Sequence, residues 1–96
     1  MPAYLVANIV MKDPVAYAEY GSKVAPLIAQ FGGRYLIRGG AAEAVEGQPF
    51  KRVVVLEFAD MAALKAFYFS PEYAPLIALR QRAADGDVSL VEGYAG

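Results

Sequence analysis

Apolar residues run almost unbroken from Tyr4 to Met11, a β-branched stretch of strand length interrupted only by Asn8. Asp13-Pro14 follows, the pairing of an N-cap with proline at a first helical position. Beyond it Tyr17, Tyr20, Val24, Leu27, Ile28 and Phe31 recur at steps of three and four, the stripe of an amphipathic helix. Pro26 lies inside that stripe and predicts a kink or an interruption, and Gly32-Gly33 predicts a left-handed stop. Strand character resumes from Arg34 to Ala42, with Gly39-Gly40 read as a bulge or a close approach. Glu46-Gly47-Gln48-Pro49 reads as a turn, and Arg52 to Phe58 is the strongest strand of the chain, so the two strands are expected as an antiparallel hairpin.

Asp60 is positioned to cap a second helix running to Tyr68 or Phe69. Ser70-Pro71 repeats the cap-and-proline device, which predicts a further helix towards Ala84 with a bend near Pro75. Asp85-Gly86-Asp87 reads as a turn before a closing strand from Val88 to Glu92. The order β-α-β-β-α-β, with its second helical segment split, is that of an α+β, ferredoxin-like domain spanning residues 1–96. Such a domain has a four-stranded antiparallel sheet with helices on one face. An internal echo agrees with two matching halves: Ala25-Pro26-Leu27-Ile28-Ala29 recurs as Ala74-Pro75-Leu76-Ile77-Ala78, each preceded by a Glu-Tyr pair, Glu19-Tyr20 and Glu72-Tyr73.

Strand parity sorts the side chains into two faces. Leu5, Ala7, Ile9, Tyr35, Ile37, Val54, Leu56, Phe58 and Leu90 form an apolar face for the helices. Val6, Asn8, Val10, Leu36, Arg38, Val53, Val55, Glu57 and Val91 form the other, mostly apolar with three polar groups. With 57% hydrophobic residues in only 96, a second apolar face needs a cover, and a second copy of the chain supplies one. A homodimer is the expected partnership. A turn centred between Gly47 and Gln48 sets Arg38 directly across from Glu57, an opposite-charge cross-strand pair.

Two absences restrict the chemistry. The chain has no cysteine and no histidine, so thiol nucleophiles, zinc–thiolate sites and the commonest general base are excluded, and no metal site or cofactor is expected. The net charge of −1 comes without any cluster of Lys and Arg, which argues against a nucleic-acid partner. No apolar run approaches the about 20 residues of a membrane span. The N-terminus lacks a secretory pattern, so a cytoplasmic location and no membrane partner are expected.

The candidate site residues are Asn8, Arg38 and Glu57, read either as a structural ion pair with a hydrogen-bonding neighbour or as an anion pocket. Tyr68, Ser70 and Tyr73, at the break between helices, read as a cap with core aromatics or as the mouth of that pocket. Arg80 and Arg82 read as a solvated helix face.

Gly32-Gly33-Arg34-Tyr35-Leu36-Ile37-Arg38-Gly39-Gly40, Val55-Leu56-Glu57-Phe58, Ser70-Pro71-Glu72-Tyr73 and Val91-Glu92-Gly93 together resemble the bacterial family called domain of unknown function 1330. That resemblance covers nearly the whole chain in order. It implies a ferredoxin-like subunit of the dimeric α/β-barrel superfamily, whose members pair sheet against sheet and include cofactor-free monooxygenases, lactone isomerases and haem-handling enzymes. The family's arginine after the second strand's apolar stretch corresponds to Arg38 and its strand-three glutamate to Glu57. The chain departs from the pattern at Phe67, where tryptophan is frequent, at Phe69, where a polar residue is frequent, and in a shorter turn at Gln48-Pro49. The haem-handling branch has no histidine candidate here.

Three functional readings follow. The first is a binder of a small anionic or aromatic organic molecule in a pocket between sheet and helices. The second is a cofactor-independent enzyme of monooxygenase or isomerase type, with Glu57 as base and Arg38 steadying an enolate. The third is a structural or interaction module without a ligand.

Overall fold

The computed structural model describes residues 1–95, and residue 96 of the expected domain lies outside the described residues. The elements in chain order are strand β1 (Ala3–Met11), helix α1 (Pro14–Gln30), strands β2 (Arg34–Arg38) and β3 (Arg52–Phe58), helices α2 (Met61–Tyr68) and α3 (Ala74–Ala83), and strand β4 (Ala84–Glu92). The four strands form one antiparallel sheet in the order β2-β3-β1-β4. This is the ferredoxin-like α+β topology expected, with the second helical segment divided as the Ser70-Pro71 break predicts.

The local causes are readable. Asp13 caps α1, its carboxylate accepting from Val15 N and Ala16 N at 3.1 Å each, and Pro14 occupies the first turn, where its missing N–H matters least. Gly32 ends the helix at φ 82°, and Gly33 N–H returns to Ile28 O at 2.9 Å. Asp60 caps α2 through Ala63 N at 2.8 Å. Alternation then builds the core: Ala3, Leu5, Ala7, Ile9, Leu56 and Phe58 are buried on the inner face beneath Tyr17, Tyr20, Val24, Leu27 and Ile28 of α1. Leu64 and Phe67 of α2 close the same core.

Several expectations are corrected. Pro26 neither ends nor divides α1, which runs unbroken to Gln30. The carbonyl it fails to bond belongs to Ser22, and both residues are exposed, so water satisfies it. The third helix begins at Ala74 rather than at Ser70-Pro71, and Pro75 sits in its first turn instead of bending it. The Asp85-Gly86-Asp87 segment is not a turn. It lies within β4, paired with Val10, Ile9 and Asn8, because α3 ends directly in the strand at Ala84.

The expected hairpin departs most. β2 stops at Arg38, and residues 39–51 form a long exposed connection in place of a tight turn. That stretch has no apolar alternation to hold a ladder, and its Gly39 and Gly47 take positive φ. Glu57 consequently pairs with Arg34, not with Arg38. Between Tyr35 and Ile37 the register slips by one residue, leaving Leu36 as the extra residue of a β-bulge. A one-residue slip reverses the faces of everything beyond it. Ile37, expected inside, pairs with Val55 on the outer face, and Arg38, expected outside, pairs with Val54 on the inner face.

Candidate functional site

The bulge at Leu36 therefore decides which guanidinium enters the space between sheet and helix. A cavity of about 300 Å³ lies there, with Leu5, Ala7, Ile9, Val54 and Leu56 as its floor and Tyr17, Tyr20 and Gly21 of α1 as one wall. Three arginines line it, Arg38 from β2, Arg52 from β3 and Arg80 from α3, together with Tyr17, Tyr20, Tyr35 and Tyr73. No carboxylate is among the lining residues.

Each arginine is held differently. Arg38 is exposed at the cavity rim, its guanidinium carbon 4.5 Å from the Tyr35 ring centroid and its Nη2 beside Gly21 of α1. Arg52 is partly buried, 5.4 Å over the Tyr17 ring, and packs against Gly39 so closely that a β-carbon there would collide with the guanidinium. Arg80 is 7% exposed. The Nε–H groups of Arg52 and Arg80 are buried without an acceptor among the described residues. Buried, charged donors of this kind cost free energy unless an acceptor meets them.

Tyr20 and Tyr73 meet across the helical layer with their hydroxyl oxygens 2.8 Å apart. Burial, reinforced by the neighbouring Tyr73 phenol, pushes the Tyr20 pKa far above the usual phenol range. Burial likewise raises Tyr73, against the opposing pull of its bond to Tyr20 and of the nearby Arg80 charge. Both remain neutral at physiological pH. One of the two O–H groups donates to the other, and the second is left free to donate elsewhere. Burial also raises the Tyr35 pKa, offset in part by Arg38.

The residues expected to form the site are divided by the sheet. Arg38 and Tyr73 reach the cavity. Asn8 lies on the outer face, where its Oδ1 accepts from Lys51 N at 2.9 Å and anchors the returning connection to the sheet. Glu57 lies on the outer face near the opposite end of the strands, bound by Arg34 (Nη2 at 2.7 Å, Nε at 2.8 Å) and by Tyr4 OH at 3.3 Å. Glu57 and Arg38 thus cannot act on one substrate atom from these positions. Ser70 is buried in the α2–α3 turn, donating to Phe67 O at 2.7 Å and accepting from Tyr73 N at 3.2 Å, a fully used structural hydroxyl. Tyr68 lines a second cavity of about 210 Å³ with Arg80, Gln81, Ala84, Asp85, Gly86, Val88 and Ile9.

Sequence parity could have found Arg52, which shares the even positions of the inward-facing Val54, Leu56 and Phe58. Arg80 was readable too. It follows Tyr73 and Ile77 at steps of four and three on the inward stripe of α3, which contradicts the solvated face expected for it. Tyr17 and Tyr20 carried no signal distinguishing them from the apolar helix stripe in which they lie.

The family described as domain of unknown function (DUF1330) matches residues 2–94. The chain belongs to that family. Among solved structures, a protein of unknown function from Rhodopseudomonas palustris superposes with a TM-score of 0.76 at 22% identity, covering 99% of this chain and 84% of that one. SnoaB, a cofactor-independent oxygenase from Streptomyces nogalater, superposes with a TM-score of 0.66 at 11% identity over 99% of this chain and 95% of its own. Rv0793 from Mycobacterium tuberculosis gives 0.59 at 18% identity, with 100% and 98% covered. At these identities the likeness is one of fold, shared between this DUF1330 chain and the oxygenase-like α/β barrels. No curated protein matches the chain. Among the described residues no helix is long and apolar enough to cross a membrane, and no group of three acidic residues is placed to hold a metal ion.

Proposed function

We propose that this DUF1330 chain binds a small organic anion in the cavity between its sheet and α1, and that it does so as a homodimer joined through the outer sheet faces. The observation that carries the anion reading is the unpaired charge of the cavity. Three guanidinium groups line about 300 Å³ of space without one carboxylate among the lining residues, and two of them hold buried N–H donors that no atom of the described residues accepts. An occupant with carboxylate or similar oxygens supplies what the protein does not, and charge-assisted bonds to arginine are the strong kind. The tyrosine rings and aliphatic floor favour an occupant with a flat apolar body.

The homodimer rests on the outer face. Val6, Val10, Leu36, Ile37 and Val91 are each more than a third exposed there, beside Phe50 at 65%. A contiguous apolar surface of this kind is characteristic of association. Val6 stands near its centre, between Val55 and Ser89, so Val6→Lys buries a charge in the joint. Sedimentation should give a dimer for the wild type and a monomer for Val6→Lys, and a wild-type monomer at micromolar concentration would overturn the pairing.

Titration with benzoate, followed by NMR, tests the cavity. Saturable shifts are expected at Ala7, Tyr35 and Val54, with little change at Glu57 on the opposite face. Absence of saturation by about 10 mM, an affinity too weak for a binding role, would overturn the anion reading.

A further inference from the structure

We infer that Gly39 is the positioning residue for Arg52: by carrying no side chain it lets the Arg52 guanidinium lie where an anionic occupant of the cavity meets it. This rests on the anion reading above and adds the residue that decides whether Arg52 serves the cavity or the solvent. Arg52 opens β3 opposite Ile9 of β1, so strand alternation sends its side chain to the inner face. Alternation sets the direction in which the stem leaves the strand, but not the place of the guanidinium at the end of a flexible chain. Nothing polar fixes that place. Among the described residues Arg52 forms no ion pair, and its buried Nε–H has no acceptor. A charged donor in that state gains by moving to water, so packing has to hold it.

Two neighbours supply the packing. The Tyr17 ring of α1 has its centroid 5.4 Å from the guanidinium carbon. Gly39 lies against the guanidinium itself, since a β-carbon there would overlap Nη1 and Cζ and come within 2.9 Å of Nε. Gly39 N–H is bonded to Val53 O at 2.8 Å, which ties its backbone to the strand that carries Arg52. With the backbone tied and the arginine flexible, a methyl group at position 39 displaces the guanidinium. Two other glycines of the same connection separate this contact from backbone strain. Gly39 and Gly47 share a positive φ, 70° and 71°, which Gly40 lacks. A β-carbon at Gly40 or Gly47 would meet nothing within 4 Å beyond its chain neighbours. Alanine at 47 therefore reproduces the strain without the contact, and alanine at 40 introduces neither.

Two readouts on the full chain test the inference. The first is exchange of the Arg52 Nε–H with water, followed by NMR and assigned by its loss in Arg52→Gln. It should be slow in the wild type, Gly40→Ala and Gly47→Ala, and at least about tenfold faster in Gly39→Ala. The second is affinity for benzoate. It should fall about tenfold in Gly39→Ala and stay within about twofold in Gly40→Ala and Gly47→Ala. In an Arg52→Gln background, Gly39→Ala should lower it no further. Gly39→Asn replaces the alanine variant if that one does not fold, because asparagine tolerates positive φ and still carries a β-carbon. Slow Arg52 exchange in a folded Gly39 variant would overturn the positioning role, as would an affinity loss that persists without Arg52. Failure of the wild type to bind benzoate would overturn the anion reading, and the exchange comparison alone would then decide whether Gly39 holds Arg52 in place.

Discussion

The hydroxyl oxygens of Tyr20 and Tyr73 lie 2.8 Å apart, a bond that ties α1 to the turn before α3. Tyr73 is 2% exposed and stacks on Phe67 with ring centroids 4.4 Å apart, so its ring is immobilised and its hydroxyl has few alternatives. Tyr20→Phe removes one partner and leaves the other polar group underserved, which should destabilise the protein by about 1–3 kcal/mol. The combined Tyr20→Phe, Tyr73→Phe variant should cost less than the sum of the single changes by about 1 kcal/mol, because both polar groups leave together. Urea unfolding of the four proteins of the cycle measures the coupling, and strict additivity would mean that the two phenols do not depend on each other.

The same pair sets an alkaline limit. Burial raises both phenols in the folded state above the about 10 they have in an unfolded chain. A group whose folded pKa is raised contributes stability that is complete below its unfolded pKa and is lost as pH climbs towards the folded value. The urea midpoint should therefore hold steady up to pH about 10 and fall beyond it, since only the unfolded chain then ionises. The doubly substituted phenylalanine variant should fall less steeply over the same range. Tyrosinate absorbance should report the Tyr20 and Tyr73 phenols only with unfolding.

Arg80 is expected to lower stability in the empty protein. Among the described residues its buried charge has no acid partner and its Nε–H has no acceptor, and the stem of the side chain can be replaced by an apolar residue of similar length. Arg80→Met should leave thermal stability unchanged or raise it, by about 1 kcal/mol or more, and should weaken anion binding at least about tenfold. A pronounced fall in melting temperature would show instead that the guanidinium is satisfied within the fold.

The Arg34–Glu57 pair should behave in the opposite sense. Although Arg34 holds Glu57 Oε1 through both Nε and Nη2, its side chain is 70% exposed and Glu57 keeps 23% of its own surface in water. Arg34→Ala should change the unfolding free energy of the subunit by less than about 1 kcal/mol, and less still in high salt. Arg38→Ala should leave Glu57 undisturbed, since Arg34 and Tyr4 remain its partners. A loss of several kcal/mol on removing Arg38 would restore the cross-strand pair that the sequence alone suggested.

The arrangement of strands and helices followed from features that act over a few residues. Asp13-Pro14 and Asp60 start helices, Gly32 stops one, and the alternation from Tyr4 to Met11 and from Arg52 to Phe58 assigns two strands their faces. Tyr73 and Arg38 were legible as candidate site residues because aromatic and charged groups among apolar neighbours require a reason. The Glu-Tyr echo placed Tyr20 and Tyr73 in corresponding halves of the fold, and their hydroxyls meet.

What the chain could not reveal locally was pairing at a distance. Nothing within Arg34–Arg38 announces that Leu36 is the extra residue of a bulge. That choice is made across β2 and β3, where Tyr35 must cover Leu56 and Arg34 must meet Glu57 while Gly39 still bonds Val53 at 2.8 Å. The slip of one residue sends Ile37 out and Arg38 in, and so transfers a positive charge from the outer face to the cavity. Local propensity is a property of neighbours in sequence, and register is a property of two strands whose partners are set by the whole sheet. The sequence by itself determined which elements form and which faces are oily; the tertiary structure alone decided which arginines share a cavity, because their convergence depends on a bulge, a long connection and a helix that meet only in the folded chain.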